Sequence, residues 1–469
     1  MSRSALGFSW SSFIAQSVLL QCCVRAGLTT DIILADDTAL PRDGRLTYAL
    51  ATDDVMLFNV TDEHAEQPSR AILDQLDSSI KARGIQAARA KDENDVHDVT
   101  CIGIDVCEGI YLAPNAHKLG LLLAATAHIA ESGLHVSPHG VSKLNVTNTW
   151  FAQLNRPTFS VFDDIYKYTE GFSKDRGPLP DDVLRELVAF ACLTPLLECD
   201  LRRPWSSQLI ATDASVNYGY GVSVADAPPE LVRDVGRFGE VFSRHVRLLR
   251  DGSPGEEAPR PRKGEALHVP ISRRAFRTVI SARRRFEAHS STLEAGGVVL
   301  GLKWMLRQAR RHSCRATFLI YAQAVLGAVA KGRSSAGAIK RDTQMIAALL
   351  LSGNVALSCT YIPSEENPAD DPSRGIVRKW RRRASAVPIH RRRGALGERA
   401  DKVKKGLATK RPSTPLERSV ATRRDRAATF SWKLFMARVL ETLTKNQVAT
   451  GNRTIEEIHT PHGPIRYTM

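Results

Sequence analysis

Cysteine is scarce and unpatterned in this chain. The eight thiols are Cys22, Cys23, Cys101, Cys107, Cys192, Cys199, Cys314 and Cys359, with no C-x-x-C pair, and most sit in apolar runs. That excludes a zinc ribbon and a disulfide framework, and predicts reduced core residues. His135-x-x-x-His139 has helical spacing, but Gly133, Pro138 and Gly140 predict a loop without metal. Long apolar runs are missing too: none reaches the roughly 18 residues that would span a bilayer. Met1-Ser-Arg followed by Ala5–Leu20 has the basic start and apolar middle of a secretory signal. Gln16, Gln21 and four serines interrupt it, and no small-x-small cleavage site precedes Asp31. An intracellular protein with no membrane partner is expected.

Acidic residues are also short of balancing the basic ones, leaving a net charge of +15 over 469 residues. With 43% hydrophobic and 25% charged residues the chain is ordinary globular material, long enough for two or three domains. The excess charge favours a polyanionic partner, nucleic acid first. It is concentrated between Ile376 and Ala427, where 18 Lys/Arg face 4 Asp/Glu. Arg378, Lys379, Arg381, Arg382 and Arg383 form one cluster there, and Arg391, Arg392 and Arg393 another. With little apolar periodicity, 376–427 reads as a solvated, disordered arm that binds nucleic acid and favours a nuclear over a cytoplasmic location. Thr429–Leu443 then predicts a short amphipathic helix within a 428–469 tail.

The chemistry-bearing pattern lies further in. Leu209-Ile-Ala-Thr-Asp213 reads as a strand ending in a carboxylate, and Tyr218–Val224 as its hairpin partner. Ser291–Arg307 has helical apolar spacing with Glu294 in its first turn. Ala316–Tyr321 is a strand, Ala322–Ala330 a helix, and Val355–Ile362 a strand that runs into Pro363-Ser-Glu-Glu-Asn-Pro-Ala-Asp-Asp-Pro-Ser-Arg374. This order resembles the ribonuclease H domain that follows the polymerase in retroelement polyproteins, and Asn367-Pro-Ala-Asp-x-Pro-Ser-Arg374 resembles that family's closing motif. The resemblance implies a five-stranded mixed sheet in 201–375, metal-assisted phosphodiester hydrolysis and an RNA–DNA hybrid partner. Two Mg2+ (or Mn2+) about 4 Å apart would then be shared by carboxylates. Asp213 would bridge both, Glu294 would hold one, and Asp370 would be the movable ligand, with Asp371 as the neighbouring alternative. The family's fourth carboxylate is replaced by Tyr321 in Tyr321-Ala-Gln-Ala-Val. A phenol, with an ordinary pKa of about 10, is neutral at pH 7 and a poor substitute for a magnesium ligand. Ribonuclease activity is therefore expected to be absent or weak. The insert 225–285, rich in proline and arginine, is expected to supply the third strand and otherwise a flexible loop.

The first 200 residues resemble a polymerase of the same elements, of the DIRS-like or gypsy-like kind. Gly7-Phe-Ser-Trp-Ser-Ser-Phe-Ile-Ala-Gln16 is similar to motif B, which places Gly7 and Gln16 beside template and nucleotide. Two strands meet at Asp53-Asp54, as in motif C with its two metal-holding aspartates, except that Ala51 replaces an aromatic. Adjacent carboxylates repel unless a cation or solvent offsets them. Pro68–Arg83 reads as a helix, Gly84–Lys91 is similar to motif D with Lys91 near the triphosphate, and Val99–Val106 to the primer-grip hairpin. Ala113–Leu123 opens a run of period-3.6 helices. The implied layout is a partial palm (1–112), thumb and connection helices (113–200), the ribonuclease H-like domain (201–375), the basic arm and the tail. The resemblance begins at motif B, so a nucleic-acid-binding fragment is expected, inactive alone or dependent on a partner chain for the fingers. The alternative is a non-enzymatic nucleic-acid-binding protein that keeps the fold and the arm.

Overall fold

The computed structural model describes residues 11–35, 41, 46–59, 68–87, 90, 92–94, 96–132, 135–239, 243–250, 263–377, 455–460 and 463–468. The chain is mixed α/β with several separate sheets. It starts with α1 (Ser11–Arg25), the antiparallel hairpin of β1 (Leu46–Ala51) and β2 (Asp54–Asn59), and α2 (Pro68–Ala82). These close over a small core of Cys22, Cys23, Ala26, Leu28, Tyr48 and Leu76. All eight cysteines are free thiols.

A second sheet follows. It is ordered β3 (Val99–Cys101), β4 (Ile104–Cys107), β5 (Tyr111–Pro114), and it later takes up a short fourth strand. Helix α3 (Ala116–Ser132) leads to β6 (His135–Val136), α4 (Pro138–Ala152) and α5 (Asp164–Thr169). Then come β7 (Gly177–Pro178), which pairs with β6, α6 (Asp181–Leu193), and β8 (Cys199–Asp200), the fourth strand. The loop expected around His139 is the first turn of α4. Ser137 accepts from Gly140 N–H as N-cap, and Pro138 takes a position where a missing N–H costs nothing. Glu186 of α6 accepts from the amides of Asp163, Asp164 and Ile165, so one carboxylate satisfies the open N-terminus of α5.

The third sheet has five strands. They are β9 (Trp205–Ala214), β10 (Gly219–Asp226), β13 (Arg277–Arg283), β14 (Arg315–Ile320) and β15 (Ala356–Tyr361), in the spatial order β13-β10-β9-β14-β15. The first three run antiparallel in succession, and β14 and β15 add parallel to β9. Alternation along β9 assigns the faces. Ile210 joins Val222, Val224, Phe318 and Ile320 in the core under α8 (Ser290–Met305), α9 (Gln323–Lys331) and α10 (Gly337–Gly353). Leu209 and Ala211 join Leu319 in the opposite core under α7 (Pro229–Phe238).

The insert departs from expectation. Its C-terminal part does supply the third strand, β13, but the part expected to be a flexible loop contains α7 and a parallel pair, β11 (His245–Leu249) with β12 (Ala266–Ser272). Pro228 and Pro229 are not loop markers here; they start α7, and Val232 and Val235 then bury on the sheet. Prolines 254, 259 and 261 lie outside the described residues. Helix α10 lies in a stretch for which no element is expected from sequence; its Ile339, Ile346 and Leu350 complete the α8 face. The layer closes with the single turn α11 (Asp370–Ser373).

Residues 381–469 form a separate unit, in which β16 (Ile455–Thr460) and β17 (Gly463–Thr468) make an antiparallel hairpin. Strands thus stand in the segment expected to be only a helix and tail. The helix expected over 429–443 and the arm clusters lie outside the described residues.

Candidate active site

Asp213 is the penultimate residue of β9, and its partner across the ladder is Gly221 of β10. That pairing explains the glycine. A Cβ at Gly221 would stand 2.2 Å from the Ala369 carbonyl oxygen and 2.5 Å from Ser373 N. The closing motif therefore lies directly on the strand, and a short set of bonds holds it there. Asn367 Nδ2 donates to the Thr212 carbonyl (3.0 Å), Ser223 Oγ to the Pro368 carbonyl (3.0 Å) and Ser281 Oγ to the Pro372 carbonyl (2.8 Å). Ser373 Oγ donates to Asp213 Oδ2 at 2.6 Å. Asn367, Ala369 and Ser373 are fully buried, so the motif is a packed plug with its polar groups paired.

Glu294 reaches the same strand end from α8. The helix begins one residue earlier than expected, with His289 Nδ1 accepting from Ser291 N–H, so Glu294 sits in its second turn rather than its first. Gly297 and Gly301 let α8 lie close on the sheet. Added Cβ atoms would come within 3.4 Å of the Asp213 carbonyl oxygen and 2.9 Å of the Phe318 ring. Glu294 is 7% exposed; its carboxylate accepts from Ala214 N–H, while Oε2 is buried with no hydrogen-bond partner. An unsatisfied buried carboxylate oxygen in a native fold demands a cause.

The electrostatics show which groups share a field. Burial pushes Asp213 up to about 6, against the opposing Ser373 hydrogen bond, and the Asp370 charge pushes the same way as burial. Burial pushes Glu294 up to about 8, with the charges of Asp213 and Asp370 adding to it. Asp213, Glu294 and Asp370 thus converge at one end of the five-stranded sheet. They do not form a ready coordination sphere: among the described residues no group of three or more His, Cys, Asp or Glu could hold a metal ion. Asp370 is instead engaged by Arg374 Nη2 (2.9 Å) and Nε (3.1 Å), and Asp371 by Arg273 at 3.3 Å. The field and the missing cage are compatible: carboxylates interact over several ångströms, whereas ion ligands must stand within about 2.0–2.6 Å of the ion.

Tyr321 directly follows β14, and Ile320 is in register with Thr212, so Tyr321 is level with Asp213 one strand away. It is 40% exposed, with its ring 6.1 Å from that of Tyr361. The position at which the resemblance requires a fourth carboxylate is thus at the site and holds a phenol. The donor set does not fit two divalent ions, lacking one carboxylate and with a second held by a guanidinium.

The N-terminal candidates belong to another sheet. Asp53 lies in the turn between β1 and β2 and Asp54 opens β2, both exposed, with Thr52 in the left-handed region at φ 57°. Gln16 on α1 makes a long contact, 3.5 Å, to the Leu50 carbonyl of β1. Gly7, Lys91 and the arm residues Arg378, Lys379, Arg381, Arg382, Arg383, Arg391, Arg392 and Arg393 lie outside the described residues. Sequence reasoning did not single out Asn367, Ser373 and Gly221 as positioning residues. Asn367 and Ser373 stand in the closing motif itself, but only the fold shows that Gly221 is its seat. A buried pair beside the motif was also missed. Glu366 meets Arg247 of β11 at 2.5 Å and accepts from Leu248 N–H at 3.0 Å, so the insert braces the motif from the far side.

Neither a family model nor a curated protein matches the chain. No helix among the described residues is long and apolar enough to cross a membrane.

Proposed function

We propose that the chain is a retroelement-derived protein of reverse transcriptase and ribonuclease H kind that binds nucleic acid, an RNA–DNA hybrid first, with its metal-dependent phosphodiester chemistry lost or impaired. The observation that carries this is the convergence of Asp213, Glu294 and Asp370 at one end of a sheet ordered β13-β10-β9-β14-β15. A mixed sheet of this order with helices on both faces supports the ribonuclease H-like reading of 201–375. The basic balance of the chain supports a nucleic-acid partner.

Two observations support impairment. Tyr321 places a phenol where the resemblance calls for a carboxylate, and Arg374 already supplies a cation to Asp370. They equally favour the second reading, a protein that keeps this fold and the basic arm for binding without cleavage. The β1–β2 hairpin with Asp53 and Asp54 supports a remnant palm, since it gathers two carboxylates at an exposed turn.

The deciding measurement is cleavage of an RNA–DNA hybrid by the purified protein with Mg2+ or Mn2+. The expected result is salt-sensitive binding without turnover, and a gain of cleavage on Tyr321→Asp. Turnover by the unmodified protein that Asp213→Asn abolishes would show an intact catalyst and overturn the impairment; absence of hybrid binding at low salt would overturn the whole reading.

A further inference from the structure

At the end of β13 away from the carboxylates, two arginines from different elements lie over one indole, and a third stands close to one of them. Trp304 lies near the C-terminus of α8. The Arg311 guanidinium is 4.2 Å from its ring centroid, and that of Arg277, the first residue of β13, is 5.8 Å away. Arg310 stands beside Arg311, its Nε donating to Gln308 Oε1 at 3.1 Å. The α8 C-terminus alone would attract cations such as Arg310 and Arg311. It does not account for Arg277, which arrives from the edge strand. No described carboxylate forms an ion pair with any of the three. The acidic group whose charge acts on Arg311 is Asp226, which accepts from Gln208 Nε2 at 2.7 Å. Burial first, and then the charges of Arg310 and Arg277, pull the Arg311 pKa down against the charge of Asp226.

We propose that Arg277 and Arg311, seated on Trp304, with Arg310 beside Arg311, form a phosphate-binding site for a nucleic-acid backbone, at the opposite end of the sheet's edge strand from the carboxylate group. Nucleic acid is favoured over an acidic peptide by what stands at the other end of the same strand. There Arg283, Arg284 and Arg285 line a cleft of about 420 Å³ with Tyr218, Phe286 and Asn217, and with Glu287, which pairs with Arg284 at 3.4 Å. Phe286 is 62% exposed, and Arg283 lies over the Tyr218 ring. Arginines interleaved with aromatic faces are the chemistry that tracks a backbone and stacks bases. The seven residues of β13 separate the two groups by roughly 20 Å at about 3.3 Å per residue. That matches about six nucleotides of one strand at roughly 3.4 Å each. This inference rests on the nucleic-acid reading above and assigns it a surface.

The test is fluorescence anisotropy of the full chain with a labelled RNA–DNA hybrid between 50 and 200 mM salt, where each lost phosphate contact lowers the log–log salt slope by about 0.9. The Arg277→Gln/Arg311→Gln variant is expected to lose about two units of slope and at least tenfold in affinity at low salt. The Arg277→Lys/Arg311→Lys variant keeps the slope, which separates lost charge from lost folding. Hybrid binding should also quench fluorescence that Trp304→Phe removes. An unchanged slope in the glutamine variant, with binding otherwise intact, overturns this site and leaves the nucleic-acid reading standing. No hybrid binding by the unmodified protein overturns both. Polyglutamate that displaces the hybrid from the unmodified protein but not from the glutamine variant would reassign the site to an acidic protein and overturn the proposal.

Discussion

Ser373 donates its hydroxyl to Asp213 at 2.6 Å across 160 residues of sequence, and this bond joins the plug of the closing motif to the carboxylate at the centre of the site. It opposes the burial that raises the Asp213 pKa. Asp213 is therefore held by the same residue that anchors α11, and changes at either end should propagate to the other.

Stability should fall as pH rises through the site's range. Asp213 is raised from 3.8 to about 6 and Glu294 from 4.5 to about 8. The folded state therefore holds more protons than the unfolded chain between about pH 4 and 8, and that stabilisation is lost as both carboxyls ionise. Glu294→Gln should flatten the profile and stabilise the protein at pH 8 by about 1–3 kcal/mol. Urea midpoints from pH 5 to 8.5 check this, and a parallel profile for the variant would refute it.

Gly221→Ala should act through space rather than backbone freedom. The new methyl meets two backbone atoms of the plug, Ala369 O and Ser373 N, neither of which is the end of a flexible chain. A loss of about 1–3 kcal/mol is expected, the cost of overpacking. Double-mutant analysis with Ser373→Ala should show the two losses to be strongly non-additive, because both release the plug.

Glu366→Ala should loosen the contact between the insert and the closing motif. It removes one carboxylate partner of Arg247, whose side chain is 9% exposed, and leaves Leu248 N–H without its acceptor. Losing a charge-assisted hydrogen bond and a backbone acceptor in a part-buried pair costs about 1–3 kcal/mol. Chemical denaturation measures it. A loss below about 1 kcal/mol would mean that solvent reaches the pair.

Arg374→Gln removes the guanidinium that engages Asp370. Without that internal cation, an added divalent ion should stabilise the variant more than the parent. Tyr321→Asp/Arg374→Gln should show the largest Mg2+-dependent rise in melting temperature of the set. Equal responses from all variants would indicate that the three carboxylates never gather around an ion.

The amino-acid pattern alone determined the strands β9, β10, β14 and β15, the helix carrying Glu294, and the placement of an acidic turn after the last strand. Period-2 and period-3.6 apolar spacing is local information, and a strand that ends in Asp can be read from neighbouring residues. Only the tertiary structure decided that Pro228-Pro229 starts a packed helix instead of marking a loop, because proline is equally at home in both and burial of Val232 and Val235 settles the choice. Pro138 was misread near His139 for the same reason. The order of the strands brought Tyr321 level with Asp213, and the absence of a side chain at Gly221 set the depth of the plug. The meeting of Arg277 and Arg311 on Trp304 depends on two elements far apart in the chain. Such facts are distances between remote residues, and a linear pattern carries no distances.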